Sequence, residues 1–207
     1  MKKLVLASAM ALASVCLVSA PTLCAQGSDQ ITIQNPAEFN AYQQATSQTD
    51  PAAKATALEE FLKNYPQSVV KKAVLDDLMD AYQQSNKVDE ELSAASRLLQ
   101  VDPNYMKAIY ISVALKKSQC LKTNEAQVCD DAASLAKKGL ALPKPEGTSD
   151  ADWKKLTDAT FPTFHSAIAL DNATSKKDYK AAIEEYKTDP LKTEEDNLII
   201  DVYVPLK

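Results

Sequence analysis

The sequence predicts an all-α protein, and two observations carry that prediction. From residue 36 to the end, apolar side chains recur every three or four residues, with Lys, Glu, Gln and Ala between them, which is the spacing of amphipathic helices. Strand-like alternation of β-branched residues extends no further than residues 31–33. The breaks between the periodic segments carry helix-capping residues, so the helix starts can be assigned.

Capping residues place the helix starts in order along the chain. Asn35 precedes Pro36, and Asp50 precedes Pro51; Asn and Asp satisfy free N–H groups, and Pro suits the first helical position. Ser149 and Ser175 introduce two later helices in the same way. The predicted helices are 36–48, 51–64, 68–85, 88–101, 104–118, 125–142, 150–173, 176–187 and 193–203.

The connections between these helices are mostly short, so neighbouring helices should pack as antiparallel hairpins. Pro162 is expected to kink or split the seventh helix. Two connections are longer, at residues 118–124 and in the Pro- and Gly-containing linker 143–149. That linker is expected to be a hinge, or the boundary between hairpins in 36–142 and a further hairpin with a C-terminal helix in 150–207.

Residues 1–25 have the pattern of a secretory signal peptide: two lysines, an apolar run from Leu4 to Ala20, and a polar segment after Ala25. We expect cleavage after Ala25 and a flexible segment at 26–35. An uncleaved membrane anchor is one alternative, but the apolar run is short for a membrane span. A lipoprotein is the other, but the residues just before Cys16 and Cys24 do not supply the small residues that lipid modification requires. The expected location is periplasmic or secreted.

Composition excludes several classes of function. Without residues 1–25 the chain keeps 21 basic residues against 28 acidic ones, a net charge of −7, so it is a poor partner for nucleic acid or an anionic membrane. No later segment is apolar enough for stable membrane insertion. Three glycines and one histidine leave little for phosphate-binding loops, metal sites or a catalytic triad. We therefore expect no catalytic residues, no metal and no cofactor.

Four cysteines occur in the chain, and two of them belong to the predicted signal peptide. The remaining pair, Cys120 and Cys129, has neither the spacing of a redox motif nor the ligand count of a zinc site. In an oxidising compartment the simplest outcome is one local disulfide, which should contribute about 2–3 kcal/mol.

A repeat is clearest over 34 residues, from Lys72 to Tyr105. Its apolar positions and terminal proline are Leu75, Leu78, Tyr82, Ala95, Leu98, Leu99 and Pro103. This spacing resembles the tetratricopeptide repeat (TPR) family. The resemblance implies antiparallel helical hairpins stacked as a TPR-like right-handed solenoid, because a single hairpin cannot bury both of its apolar faces.

The TPR pattern is degenerate. Met79 stands where Gly or Ala is usual, and Glu91 and Lys54 stand where Ala is usual. The prolines that mark repeat ends lie 37 and 40 residues apart, so the repeats are partly expanded, and an irregular helical bundle is the alternative. Residues 61–68 (FLKNYPQS) also resemble a segment of bacterial envelope TPR proteins, namely outer-membrane assembly lipoproteins and Tol-associated periplasmic coordinators.

In TPR arrays the first helices of the hairpins line a concave groove that holds an extended peptide or a partner helix. The resemblance therefore implies a partner-binding groove formed by Asp76, Asp80, Gln83, Gln84, Lys107, Tyr110 and Lys117. Mixed charge with one aromatic ring suits a polypeptide ligand. The alternative is that each of these side chains is simply solvated.

Other conspicuous residues are interpreted structurally. Trp153, Phe161 and Phe164 have the spacing of core aromatics, and His165 has no partner in the sequence that would make it a proton-transfer residue. The adjacent acid pairs at 59–60, 76–77, 90–91 and 194–195 diverge around a helix, so we interpret them as solvated surface rather than paired catalytic carboxylates.

The sequence thus predicts an exported, non-catalytic TPR-like adaptor that binds a protein or peptide partner in the bacterial cell envelope. A second hypothesis uses the apolar segment 197–204, which could form an edge for self-association in a structural envelope protein. An enzyme with an unrecognised helical active site is the third.

Overall fold

A computed structural model describes residues 32–187, and these residues form eight helices without strands. The helices are α1 (Pro36–Thr46), α2 (Pro51–Asn64), α3 (Lys71–Gln84), α4 (Val88–Val101), α5 (Met106–Thr123), α6 (Ala126–Leu140), α7 (Asp150–Thr174) and α8 (Tyr179–Lys187). The all-α prediction is confirmed for this part of the chain. The predicted signal peptide, the helix at 193–203 and the apolar segment 197–204 lie outside the described residues.

Capping side chains begin α1, α2 and α7 where the sequence predicts. Asn35 accepts a hydrogen bond from the Ala37 N–H at 2.9 Å, and Asp50 accepts one from Ala53 at 2.8 Å. The Ser149 hydroxyl accepts one from the Asp152 N–H at 3.1 Å. Each bond satisfies a first-turn N–H that has no partner inside its helix.

The expectation for Ser175 is wrong, because this residue ends α7. Helix α8 begins at Tyr179, after Asp178, whose carboxylate accepts a hydrogen bond from the Ala181 N–H at 3.0 Å.

One expectation about helix continuity is wrong. The connection predicted at 118–124 is helical, since α5 continues to Thr123 and ends at Asn124 in the left-handed conformation, with φ 54°. Of the two outcomes expected for Pro162, a kink or a split, the split does not occur, since α7 is continuous through Pro162. The turns that flank Pro162 include the buried side chains of Thr160 and Phe164. Their packing against other helices offsets the loss of the backbone hydrogen bond that proline cannot donate.

Each helix packs against the next one in the chain, and α5 also packs against α7. One apolar cluster extends through the five helices α1, α2, α3, α4 and α5. Its fully buried residues include Leu58, Leu75, Leu78 and Leu98. These include apolar positions of the repeat. None of the helices within residues 32–187 combines the length and apolar character needed to cross a bilayer.

A second apolar cluster joins α5, α6 and α7. It is centred on Phe164, Ile109 and Val113, all of which are fully buried, and it includes residues on both sides of the 143–149 segment. Beside it, Cys120 and Cys129 form the predicted disulfide between α5 and α6, packed against Leu170 of α7. The disulfide prediction is confirmed.

Candidate functional site

A cleft of about 580 Å³ opens between the start of α5, the segment that joins α6 to α7, and the first turns of α7. Most of its surface is apolar, and it contains two aromatic rings and two prolines. We call it the aromatic cleft. Its lining residues are Lys72, Asp102, Asn104, Tyr105, Met106, Lys107, Leu142, Pro143, Pro145, Trp153 and Leu156.

One wall of the aromatic cleft is built by the start of α7. Trp153 and Leu156 are three residues apart, so they share a helix face. Trp153 is half-buried against the α5–α7 core, whereas Leu156 is 38% exposed. An ion pair between Lys144 and Asp150 ties the proline-containing segment to the first turn of α7. The cap at Ser149 and this ion pair together position the wall.

The opposite wall comes from the turn before α5. The Lys72 ammonium lies 4.7 Å from the centre of the Tyr105 ring and 2.5 Å from Asp102 Oδ2. The hydrogen bond from Lys72 lowers the pKa of the Asp102 carboxyl below its ordinary value. A cation–π contact and an ion pair therefore hold Lys72 over the tyrosine face, which keeps this rim of the cleft ordered.

Lys107 connects the cleft to acidic residues on α3. Its ammonium lies 2.9 Å from Asp76 Oδ1 and 2.7 Å from Asp80 Oδ1. Burial lowers the pKa of Lys107, but the hydrogen bonds to Asp80 and Asp76 outweigh it, and the net pKa is raised. Burial, with the negative charge of Asp76, raises the pKa of the Tyr105 hydroxyl.

Glu91 is the third carboxyl of this region. It is only 5% exposed, at a position where the TPR pattern has alanine. Burial raises its pKa, and repulsion from Asp80 raises it further, while Lys107 opposes both. We call Asp76, Asp80 and Glu91 the carboxylate cluster.

The structure brings together three of the seven residues proposed for the groove: Asp76, Asp80 and Lys107. Gln83 and Gln84 are exposed at the end of α3. Tyr110 is half-buried, with its ring centre 6.4 Å from that of Phe164.

Lys117 lies three turns along α5 from Lys107, and it donates a hydrogen bond to Ser166 Oγ of α7 at 3.1 Å. Tyr110 and Lys117 of α5 therefore both contact α7.

Sequence reasoning missed most of the cleft. The spacing predicts Trp153 and Phe164 as core residues. Phe164 is fully buried, whereas Trp153 packs against the core with one side and forms a cleft wall with the other. The sequence pattern places Pro143 and Pro145 in a linker, with Pro143 as the end of a repeat, and assigns neither of them to a binding surface. A tryptophan within ten residues of two prolines was the available signal, since these residues suit an aromatic-lined binding surface.

The interpretation of the acid pairs as solvated surface is wrong for Glu91, which is buried, and incomplete for Glu59. The Glu59 carboxylate accepts hydrogen bonds from Arg97 at 2.7 Å and from the Tyr82 hydroxyl at 3.0 Å. Burial, together with Glu59, raises the pKa of Tyr82 to about 12. Glu59 therefore links α2 to α3 and α4. The pair at 194–195 lies outside the described residues.

His165 does have an acidic partner, although it is 20 residues away in the chain. Its Nδ1 lies 2.6 Å from Glu185 Oε1, and both side chains are partly buried. This pair joins α7 to α8, on helices beyond the α3–α5 region that holds the carboxylate cluster. The contact explains why no local pattern around His165 predicted a partner.

Removing the charge of Glu91 should stabilise the protein at neutral pH. Its raised pKa means that the folded chain holds this proton to higher pH than the unfolded chain. The stabilisation that protonation of Glu91 gives the folded chain is therefore complete below the pKa of the unfolded chain and is lost as pH rises through the pKa of the folded chain. Glu91→Gln imitates the protonated form. We expect it to raise the free energy of unfolding at pH 7 by about 1 kcal/mol, measured by urea denaturation.

Glu90→Gln is the matched control, because Glu90 is in the same helical turn and exposed. The stability difference between the two variants should shrink as pH approaches 4, where the unfolded carboxyl also takes up a proton. A difference that is unchanged between pH 4 and pH 7, or of the opposite sign at pH 7, would show that Glu91 is not a costly buried charge.

Comparison with known proteins found no family model and no curated protein that matches the chain.

Proposed function

We propose that this protein is an exported, TPR-like adaptor that binds another polypeptide in the bacterial cell envelope without chemistry of its own, and that the aromatic cleft receives the partner. The observation that carries the proposal is the cleft itself. It combines half-buried aromatic and aliphatic walls with a rim of ion-paired polar side chains, which is the composition of protein-binding surfaces.

The cleft has room for more than one side chain. Its volume of about 580 Å³ is within the range of ligand-binding sites. The succession of helices, each packed on the next, supports a hairpin array of the TPR type. Such an array displays its side chains on a rigid framework, so weak contacts act together.

Site-specific photocrosslinking tests this function. A benzophenone amino acid replaces Leu156 at the cleft rim, and in a matched control it replaces Phe39 of α1, which is 43% exposed and remote in sequence from the cleft. Both variants are expressed with their leader, irradiated in living bacteria and recovered from the periplasmic fraction. We expect a discrete adduct with another polypeptide from position 156 and not from position 39.

The outcomes separate the hypotheses. Adducts from position 156 that disappear when Trp153→Ala is added support the cleft as the binding surface. An adduct with twice the mass of the recovered chain would favour self-association instead. Identical adducts from both positions, or none from position 156, would overturn the proposal.

A further inference from the structure

The carboxylate cluster leaves an excess of negative charge beside the aromatic cleft. Lys107 forms ion pairs with Asp76 and Asp80, and its charge also acts on Glu91, so among the described residues of this cluster three carboxyl groups share the ammonium of Lys107. Lys107 also lines the cleft, and its ion pairs with Asp76 and Asp80 therefore place these two carboxylates next to the cleft, although they do not line it. Burial raises the pKa of Glu91, and repulsion from Asp80 raises it further, so two carboxylates of the cluster act on each other.

The other charged rim of the cleft does not compensate for this excess. Lys72 is already in an ion pair with Asp102, so that rim is close to neutral. Among the three clustered carboxylates, Asp80 is the most accessible, with 42% of its side chain exposed, whereas Glu91 is buried. A cationic side chain of a ligand would therefore meet Asp80 first.

We propose that the aromatic cleft selects an extended polypeptide segment in which bulky apolar side chains stand next to lysine or arginine. This inference rests on the proposed function and names the chemistry of its partner. The apolar side chain lies between Trp153 and the Tyr105–Met106 wall, and the neighbouring cation lies against Asp80. An acidic segment of the same apolar content is rejected, because its charge repels the cluster at short range.

Trp153 provides a local readout, since it is the only tryptophan in the chain and it forms a cleft wall. The probes are three acetylated, amidated heptapeptides without tryptophan: leucine alternating with lysine, leucine alternating with glutamate, and serine alternating with lysine. Each is titrated into the protein while the Trp153 emission is recorded. We expect saturable binding of the leucine–lysine peptide, about tenfold tighter than that of either other peptide.

Two charge-neutralising variants show whether the selectivity is local. Asp80→Asn removes the exposed carboxylate of the cluster, and Glu184→Gln removes one negative charge from α8, which does not line the cleft. We expect Asp80→Asn to reduce the preference for the basic over the acidic leucine peptide to about threefold or less. Glu184→Gln should preserve it.

Three results would overturn the inference. Equal affinity for the two leucine peptides would mean that the cleft binds polypeptides without charge selection, which leaves the proposed function in place. An equal loss of this preference in Asp80→Asn and Glu184→Gln would mean that the overall charge of the chain, and not the carboxylate cluster, causes the preference for the basic peptide. No change in Trp153 emission with any peptide would also overturn it, and crosslinking at position 156 would then decide separately whether the cleft binds a polypeptide.

Discussion

Replacing Phe164 with alanine is expected to lower the free energy of unfolding by about 3–5 kcal/mol. The side chain is fully buried, and its ring centre lies 6.0 Å from that of Phe161 and 6.4 Å from that of Tyr110. Tyr110 belongs to α5, whereas Phe164 belongs to α7, so the variant leaves a cavity between helices that cannot close without moving one of them. Urea unfolding followed by circular dichroism measures the loss.

Gly139 supplies an internal control for this prediction. A Cβ at position 139 would collide with the Phe164 ring, with the ring's Cζ at 2.8 Å. Gly139→Ala in the native background should therefore destabilise the protein by about 1–3 kcal/mol. In the Phe164→Ala background the same methyl group enters vacated space, and alanine favours the helix over glycine, so the substitution should be neutral or stabilising.

A double-mutant cycle expresses this as one coupling free energy. If Gly139→Ala has the same effect in both backgrounds, then the close approach of α6 to the Phe164 ring is not what requires glycine. The cycle also reports on the cleft indirectly, because Trp153 packs against the same core as Phe164. We expect the Trp153 emission to shift in Phe164→Ala even without a ligand.

Local signals in the sequence account for three of the eight helix starts within residues 32–187. Asn35, Asp50 and Ser149 were predicted as caps, and each accepts a first-turn hydrogen bond. Such a cap acts within three residues of itself, so a sequence pattern can reveal it. The end of α5 was missed because its last turns are supported by α6, through the disulfide and the 2.9 Å ion pair of Lys116 with Asp131.

The candidate site was less predictable, for a physical reason. The approach of Lys107 to Asp76 and Asp80 could be anticipated, because the two aspartates are one helical turn apart and face the next hairpin. The aromatic cleft combines a connecting segment with the starts of two helices, and no periodicity indicates that such a segment folds back over a helix start. Glu91 shows the same limit, since its charge suggested exposure while its helical position required burial.

Removing the disulfide is expected to lower the free energy of unfolding by about 2–3 kcal/mol. Cys120 and Cys129 are nine residues apart and almost completely buried between α5 and α6. The cross-link restricts the unfolded chain, and a short loop places the effect at the lower end of the usual range. In the double variant Cys120→Ala, Cys129→Ala, alanine leaves no buried hydroxyl without a partner, as serine would.

Thermal unfolding with and without reductant tests this prediction with its own control. The double variant should melt about 5–10 °C below the oxidised protein and should not respond to dithiothreitol. The native chain should move towards the melting temperature of the variant once its thiols are free. Because both sulfur atoms are buried, reduction requires a local opening of α5 from α6, so the shift should develop slowly at 25 °C and faster near the transition. A variant as stable as the oxidised protein would show that packing alone holds α5 against α6, and the cross-link would then give no advantage in the oxidising compartment proposed for this protein.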